Sequence, residues 1–186
     1  LMNNLEKTNI DILNKLGIDK KGYALVTLHR PSNVDQKEIL TGIFNALKNI
    51  SEKIHVVFPL HPRTKNKMDQ FKILNTINTK ITFTEPLGYL DFLSLTKNAR
   101  VVLTDSGGIQ EETTALGIPC LTLRENTERP VTVEEGTNKV IGNSETKIIK
   151  EFDEIIGSEE LEYSVPKLWD GKTANRIADI IEKEIS

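Results

Sequence analysis

Short apolar runs that alternate with longer segments of helical period constrain this chain most. The runs at 23–28, 54–60 and 101–104 are apolar over most of their length, without regular polar alternation. Such runs are typical of strands that are buried on both faces, as in a parallel sheet covered by helices. The pattern predicts an α/β fold, a Rossmann-like, doubly wound parallel sheet of about six strands.

The same patterns predict where each element begins and ends. Strands are predicted at 23–28, 54–60, 81–84, 101–104, 119–123 and 138–142. Helices are predicted at 2–16, 35–50, 64–75 and 89–98, from Ser106 to a stop at Gly117, at 129–135, over most of the stretch from 144, and at 172–185. No repeat or linker interrupts them, so we expect residues 1–186 to form a single domain with a closing C-terminal helix.

Composition narrows the classes of partner. The net charge of −3 argues against nucleic acid, whose phosphate backbone requires a basic face. No apolar run reaches the ~18–20 residues of a membrane span, and the amphipathic N-terminus has no signal-peptide core. The single cysteine, Cys120, lies in an apolar run, and we expect it to be buried and without a catalytic role. We therefore expect a cytoplasmic protein with neither a nucleic-acid nor a membrane partner.

Histidines and arginines follow the first two predicted strands, at the point where each strand ends. His29 and Arg30 follow the first strand, and His61 and Arg63 follow the second. Ligands of open α/β sheets bind beyond the carboxyl ends of the strands, so this clustering predicts a ligand site there. The histidines lack the close spacing of zinc ligands, and no metal site is predicted.

The sequence TDSGGIQEE at 104–112 ends the fourth predicted strand and opens a helix. Small residues at a helix start let a phosphate approach the backbone, where free N–H groups and the positive end of the helix dipole bind it. Ser106, Gly107 and Gly108 are therefore candidate phosphate ligands; the alternative is an ordinary N-cap followed by a tight turn. Because GxGxxG and GxxxxGKS are both missing, the sequence predicts neither an NAD site nor a P-loop.

Two charged residues are candidates for the same site. Glu112 lies further along the helix and could accept hydrogen bonds from ribose hydroxyls, or it could be a solvated helix residue. Arg129 follows the fifth predicted strand and could reach a pyrophosphate, or it could form a surface pair with Glu128 or Glu134.

Two ring residues complete the candidates. His29 suits an acid, a base or a hydrogen-bond donor near neutral pH, and the alternative is a core histidine that is hydrogen-bonded to backbone. Phe92 could stack on a base or simply belong to the core of its helix.

Four segments resemble one family in the same order along the chain. VVLTDSGGIQEETTALGIPCLTLRENTERPVTVEEGTNKVIG at 101–142 resembles the C-terminal domain of non-hydrolysing UDP-N-acetylglucosamine 2-epimerases. TLHRPSNVD, FPLHPRT and EPLGYLDFL, at 27–35, 58–64 and 85–93, are similar to the same family, and DGKTANRIADII looks like its closing helix. The resemblance implies two Rossmann-like domains that face a cleft, as in the GT-B glycosyltransferases, with this chain as the second half.

The resemblance also implies a role for each candidate residue. The residues carried over by motif are Ser106, Gly107 and Gly108 for the diphosphate, Arg129 for the phosphates, Glu112 for the ribose, and Leu87 and Phe92 for the uracil, with Leu87 acting through its backbone. His29 would lie at the cleft near the sugar and the diphosphate, as a catalytic residue. His61 would belong to the cleft or to a second, regulatory UDP-sugar site.

The implied reaction inverts C2 of the sugar reversibly, by elimination of UDP to a 2-acetamidoglucal and re-addition after protonation from the other face. It requires no cofactor. The resemblance places the acid and base carboxylates in an N-terminal domain that is missing from this chain. We therefore expect the chain alone to bind a UDP-sugar without turning it over, and the full-length protein to form a homodimer.

Two further questions stay open at this point. The chain begins with Leu before Met, which suggests either a fragment or a natural half-protein whose other half is a separate polypeptide. The alternative functions are the donor-binding domain of a glycosyltransferase and a non-catalytic module that binds nucleotide sugars.

Overall fold

The computed structural model describes residues 1–8, 11–73, 80–158 and 164–185, without the side chains of residues 2 and 3. The strands are β1 Tyr23–Thr27, β2 His55–Pro59, β3 Ile81–Thr84, β4 Val101–Thr104, β5 Cys120–Thr122 and β6 Asn138–Val140. The helices are α1 Met2–Leu5, α2 Asp11–Leu16, α3 Pro31–Val34, α4 Lys37–Lys53, α5 Pro62–Phe71, α6 Tyr89–Asn98, α7 Gly107–Leu116, α8 Val131–Glu134, α9 Glu145–Gly157 and α10 Thr173–Ile185.

The six strands form one parallel sheet in the order β3-β2-β1-β4-β5-β6. This confirms the predicted Rossmann-like fold. The chain starts in the middle of the sheet at β1, builds outward to β3, and returns to the middle at β4, with Thr27 paired to Thr104 in register. The loops after β1 and β4 therefore diverge to opposite faces of the sheet and leave a crevice between them, where open α/β sheets bind ligands.

Helices cover both faces of the sheet because alternate strand residues point to opposite sides. On one side, Ala24 and Val26 of β1 join a buried cluster with Phe44 of α4 and Phe152 of α9. On the other side, Leu25 packs with residues of α2 and α6. Both faces of β1 are thus apolar, which explains the uninterrupted apolar run in the sequence.

The predicted N-terminal helix at 2–16 was wrong as a single element. The structure has α1 and α2 instead, and residues 9 and 10 lie outside the described part. After α1 the backbone hydrogen bonds join residues three positions apart instead of four. Lys7 N–H donates to Asn4 O at 3.1 Å, and Thr8 N–H donates to Leu5 O at 3.3 Å. The Thr8 hydroxyl also donates to Leu5 O at 2.7 Å, and such side-chain bonds compete with a continuing helix.

The other predicted bounds differ by a few residues. The helix predicted at 35–50 runs from 37 to 53 and is preceded by α3, which begins at Pro31 where proline suits a first helical position. The helix predicted at 64–75 begins at Pro62 and ends earlier than predicted, at Phe71, because Lys72 takes a left-handed backbone with a φ of 57°; residues 74 and 75 lie outside the described part. Gly117, with a φ of 67°, ends α7 as predicted.

The C-terminal helix α10 has an unpacked apolar face. Ile177, Ile180, Ile181 and Ile185 are each more than half exposed, and none of its residues is buried. Across the described ranges, no helix is long and apolar enough to cross a membrane. Because α10 contributes no buried residue, the sheet and the helices on its two faces position the site.

Gly136→Ala should destabilise the fold. An alanine Cβ at this position would lie 2.6 Å from Thr132 O and would also meet the side chain of Thr114. We expect a loss of about 1–3 kcal/mol in the free energy of unfolding, measured by urea denaturation, as is usual for overpacking.

Gly42→Ala is the matched control. Its Cβ would meet nothing within 4 Å, and it lies inside α4. This substitution should raise the free energy of unfolding by about 0.5–1 kcal/mol. Equal effects of the two alanines would contradict the close contact assigned to Gly136.

Candidate functional site

The N-terminus of α7 opens at the carboxyl edge of the sheet, directly after β4. Ser106 occupies the N-cap position, but its hydroxyl makes no capping hydrogen bond, and the first turn contains no acidic residue. Gly107 is partly exposed and Gly108 is exposed. The structure therefore leaves the first N–H groups of α7 without a side-chain cap, which is the arrangement that binds phosphate.

The loop at 124–130 follows β5 and lies beside this helix end. Arg124 donates two hydrogen bonds to Glu128, at 2.6 and 2.7 Å, and this contact lowers the pKa of Glu128 to about 2. Glu128 Oε2 lies 3.9 Å from the position that a Cβ on Gly107 would take. A side chain from the loop thus places a carboxylate next to the N-terminus of α7, which stabilises negative charge.

Arg129 lies against the same helix. Its Nε forms an ion pair with Glu111 Oε1 at 2.9 Å, and both side chains are nearly half exposed. The glutamate differs from the two considered as alternatives from sequence, Glu128 and Glu134. The pair places the Arg129 guanidinium beside the first turns of α7, and exposed pairs of this kind exchange partners at little cost.

Buried amides hold the loop at 124–130, which we call the arginine loop, against α7. Gln110 Oε1 accepts hydrogen bonds from Thr127 Oγ1 at 2.5 Å and from Asn138 Nδ2 at 3.2 Å. Thr127 Oγ1 in turn accepts the backbone N–H of Arg129 at 3.0 Å. Asn138 also donates to Thr132 Oγ1 at 3.0 Å. The position of the arginine loop relative to α7 therefore depends on polar side chains that the sequence analysis did not select.

Glu112 lies further along α7 at the edge of a cavity. Burial raises the pKa of Glu112, and Tyr89 donates its hydroxyl hydrogen to Glu112 Oε1 at 3.3 Å. The cavity has a volume of about 370 Å³ and is lined by Glu111, Glu112, Ala115, Leu168, Trp169, Gly171, Thr173 and Leu1. A carboxylate that faces open space in this way is available to a hydroxyl-rich ligand.

Leu87 lies two residues before α6, and Phe92 lies in the first turn of that helix. Both side chains are partly buried and pack against the apolar cluster on the α2 and α6 side of the sheet. Phe92 therefore packs against the core, which was the alternative to stacking on a base.

His29 and His61 come together at the ends of β1 and β2. Their ring centroids lie 5.5 Å apart, with the planes tilted by 40°. His61 Nδ1 accepts the backbone N–H of Arg63 at 3.1 Å and so caps α5. His29 Nδ1 lies 3.0 Å from Oδ1 of Asp105, a buried residue that the sequence analysis noted only as part of the strand end.

The described ranges contain no group of three or more histidine, cysteine or acidic side chains that could hold a metal ion. The polar groups of this edge are instead a free helix N-terminus, arginines, carboxylates and imidazoles. That set suits an anionic ligand that also carries hydroxyl groups.

Comparison with known proteins assigns the chain to a family. The family model described as UDP-N-acetylglucosamine 2-epimerase matches residues 2–182. The chain belongs to the UDP-N-acetylglucosamine 2-epimerase family. The match includes every segment on which the resemblance was based, so the family expected from the sequence is confirmed.

Individual relatives of this epimerase family support the assignment. The UDP-N-acetylglucosamine 2-epimerase of Methanocaldococcus jannaschii is 45% identical over 165 residues, which are 86% of this chain and 44% of that protein. A crystal structure of the M. jannaschii enzyme in complex with UDP-GlcNAc and UDP matches with a TM-score of 0.85 at 39% identity, covering 98% of this chain and 51% of that one.

A second relative acts on another sugar. The UDP-2,3-diacetamido-2,3-dideoxy-D-glucuronate 2-epimerase of Pseudomonas aeruginosa is 33% identical over 163 residues, which are 87% of this chain and 45% of that protein. The chain thus spans about half the length of the relatives it matches. Its sheet corresponds to half of a GT-B-like epimerase structure, as expected.

Thr127→Val should loosen the arginine loop. The substitution keeps the shape of the side chain but removes the hydroxyl that joins Gln110 to the backbone N–H of Arg129. We expect faster hydrogen exchange at the Arg129 amide and a loss of about 1 kcal/mol in the free energy of unfolding.

Thr146→Val is the control, at an exposed position of α9 where the hydroxyl contacts that of Ser144. It should leave exchange at Arg129 unchanged. Unchanged exchange in Thr127→Val as well would show that the hydroxyl does not hold the loop.

Proposed function

We propose that this chain is the UDP-binding half of an epimerase that interconverts UDP-N-acetylglucosamine and UDP-N-acetylmannosamine. The observation that carries the proposal is the uncapped N-terminus of α7 at Ser106, Gly107 and Gly108, beside Arg129. The family membership and the relative crystallised with UDP-GlcNAc and UDP support it.

The helix end and the arginine would bind the diphosphate. The free N–H groups of Gly107 and Gly108 and the positive end of the helix dipole stabilise negative charge, and the charge on the departing UDP increases as the bond to the sugar breaks. Arg129 would exchange the Glu111 carboxylate for a phosphate oxygen. Glu128 would have to move from the helix end, because its carboxylate and the diphosphate repel each other.

The remaining candidates would bind the nucleoside and the sugar. The carboxylate of Glu112 would accept hydrogen bonds from the ribose hydroxyls. Leu87, through its backbone, and the ring of Phe92 would bind the uracil. His29 would face the sugar and the diphosphate from the end of β1, as a catalytic residue.

A second domain would supply the acid and base carboxylates. Two observations support a partner domain: the chain spans about half the length of its relatives, and α10 leaves an apolar face of four isoleucines uncovered. We propose that the complete enzyme closes its two domains over the sugar, requires no cofactor, and is a homodimer. The chain alone would bind UDP without turnover.

Relatives of this family act on different UDP-sugars. A relative at 33% identity carries a name that specifies a diacetamido glucuronate in place of N-acetylglucosamine. Both UDP-sugars therefore belong in any assay of the complete enzyme. Conversion of the glucuronate alone would move the proposal to that substrate and leave the UDP site in place.

Arg129→Ala should weaken UDP binding without unfolding the chain. Loss of a charge-assisted hydrogen bond to a phosphate corresponds to about 1–3 kcal/mol, or roughly 5- to 150-fold in Kd. Titration calorimetry with UDP measures the change, and the midpoint of thermal unfolding checks the fold.

Lys53→Ala is the matched control for net charge. Lys53 ends α4 at the opposite edge of the sheet, where it pairs with Asp153 at 2.6 Å, and its substitution should leave the UDP affinity unchanged. An unchanged affinity in Arg129→Ala would remove Arg129 from the site.

The 186-residue chain should bind UDP but form no UDP-N-acetylmannosamine from UDP-N-acetylglucosamine. The reason is that the acid and base would come from the second domain. Chromatographic separation of the two UDP-sugars measures turnover, with the M. jannaschii relative as positive control. Turnover by the chain alone would refute the two-domain proposal, and UDP binding without turnover by the complete protein would favour a non-catalytic module. Transfer of the sugar to an acceptor by the complete protein would favour a glycosyltransferase.

A further inference from the structure

A buried carboxylate lies directly behind the imidazole of His29. Asp105 follows β4, is fully buried, and places Oδ1 3.0 Å from His29 Nδ1. The same carboxylate accepts the backbone N–H groups of His29, at 3.1 and 3.2 Å, and of Arg30, at 2.9 Å. The side-chain amide of Asn33 donates a further hydrogen bond to it at 3.1 Å.

These contacts determine the charge of the carboxylate. Burial by itself raises the pKa of Asp105, but the hydrogen bonds from the side chain and backbone of His29 and from the backbone of Arg30 outweigh burial, and the pKa is lowered overall. An ionised carboxylate only accepts hydrogen bonds. His29 Nδ1 must therefore carry the hydrogen of the short contact between the two side chains.

The tautomer determines which ring nitrogen of His29 can accept a hydrogen bond from a ligand. With a hydrogen on Nδ1, the neutral ring has its lone pair on Nε2, on the side of the ring that faces away from Asp105. The His29 side chain is 37% exposed, so the outer part of the ring is accessible. The ring of His61 lies beside it, with the ring centroids 5.5 Å apart.

We propose that Asp105 is a positioning residue that holds His29 in the Nδ1–H tautomer and presents Nε2 to the ligand at the carboxyl edge. The identity of the ligand rests on the proposed function, whereas the tautomer does not. With Nδ1 carrying the hydrogen, Nε2 of the neutral form of the ring would accept a hydrogen bond from a donor group of the nucleotide sugar. A carboxylate behind a histidine fixes orientation and tautomer in the same way in other enzymes.

If Asp105 had a purely structural role, its removal would lower stability without changing the tautomer of His29. The carboxylate also ties the loop after β1 to the end of β4, so its removal would weaken the fold whatever the imidazole does. Asn33 offers a matched control because it shares this tie through its side-chain amide, which donates to Asp105 at 3.1 Å and to Leu123 O at 2.8 Å rather than to the His29 ring.

The test is the tautomer of His29, read from long-range proton–nitrogen spectra of the 186-residue chain with labelled histidine. Spectra are recorded at about pH 8.5, where an ordinary imidazole is neutral, and His29 is assigned with the His55→Gln and His61→Gln variants. The wild-type chain should show a protonated, pyrrole-type Nδ1 and an unprotonated, pyridine-type Nε2.

Two variants separate positioning from fold maintenance. In Asp105→Asn the new amide donates to Nδ1, so the two ring nitrogens should exchange their shift types. In Asn33→Ala they should keep the wild-type pattern even if the midpoint of thermal unfolding falls. A protonated Nε2 in the wild-type chain, or an unchanged tautomer in Asp105→Asn, would overturn the proposal. If Asp105→Asn does not fold, the wild-type tautomer decides alone.

Titration with UDP-N-acetylglucosamine distinguishes this proposal from the proposed function. Binding is measured independently by calorimetry. Binding with a shift at His29 Nε2 supports both. Binding with no shift at Nε2 overturns the presentation of Nε2 to the ligand but not the UDP site. The expected tautomer together with no binding of UDP or the UDP-sugar refutes the proposed function and leaves the positioning of His29 by Asp105 intact.

Discussion

The carboxylate of Asp105 is the interaction on which the ligand edge depends. A buried charge costs several kcal/mol unless donors surround it, and here the donors are backbone N–H groups of the loop after β1 and the side-chain amide of Asn33 in α3. Satisfying this one charge therefore joins the ends of the two central strands, β1 and β4. The Asp105 carboxylate thus holds the loop that carries His29 against the turn that precedes α7. This contact lies at the crevice between β1 and β4, where the strand order reverses.

The charged side chains around α7 are paired with one another. Arg129 is paired with Glu111, and Arg124 with Glu128, whose carboxylate faces the helix end. Under the proposed function, a diphosphate would replace the Glu111 carboxylate at Arg129. Both side chains of the Arg129–Glu111 pair are nearly half exposed, so replacing this pair would cost little, whereas Arg124 is only 12% exposed and its contact lowers the pKa of Glu128 to about 2. The buried amides of Gln110 and Asn138 hold the loop against α7.

Much of the fold was predictable because its signals are local. Strands buried on both faces produce apolar runs, and the end of α7 at Gly117 follows from the left-handed backbone that glycine adopts easily. The candidate ligand edge was also predictable, since strand ends mark it. The single helix predicted at 2–16 failed because amphipathic spacing does not reveal the turns that the hydrogen bonds of Thr8 favour.

The sequence by itself determined the fold class, the family and the edge of the sheet at which polar residues collect, because periodicity and motifs reside in neighbouring residues. Only the tertiary structure decided which side chains meet. His29 and Asp105 are separated by 76 positions, and Gln110 and Asn138 by 28, and in both cases the sheet brings them into contact. No local pattern encodes such pairs, because their energy comes from satisfying buried polar groups after the strands have assembled.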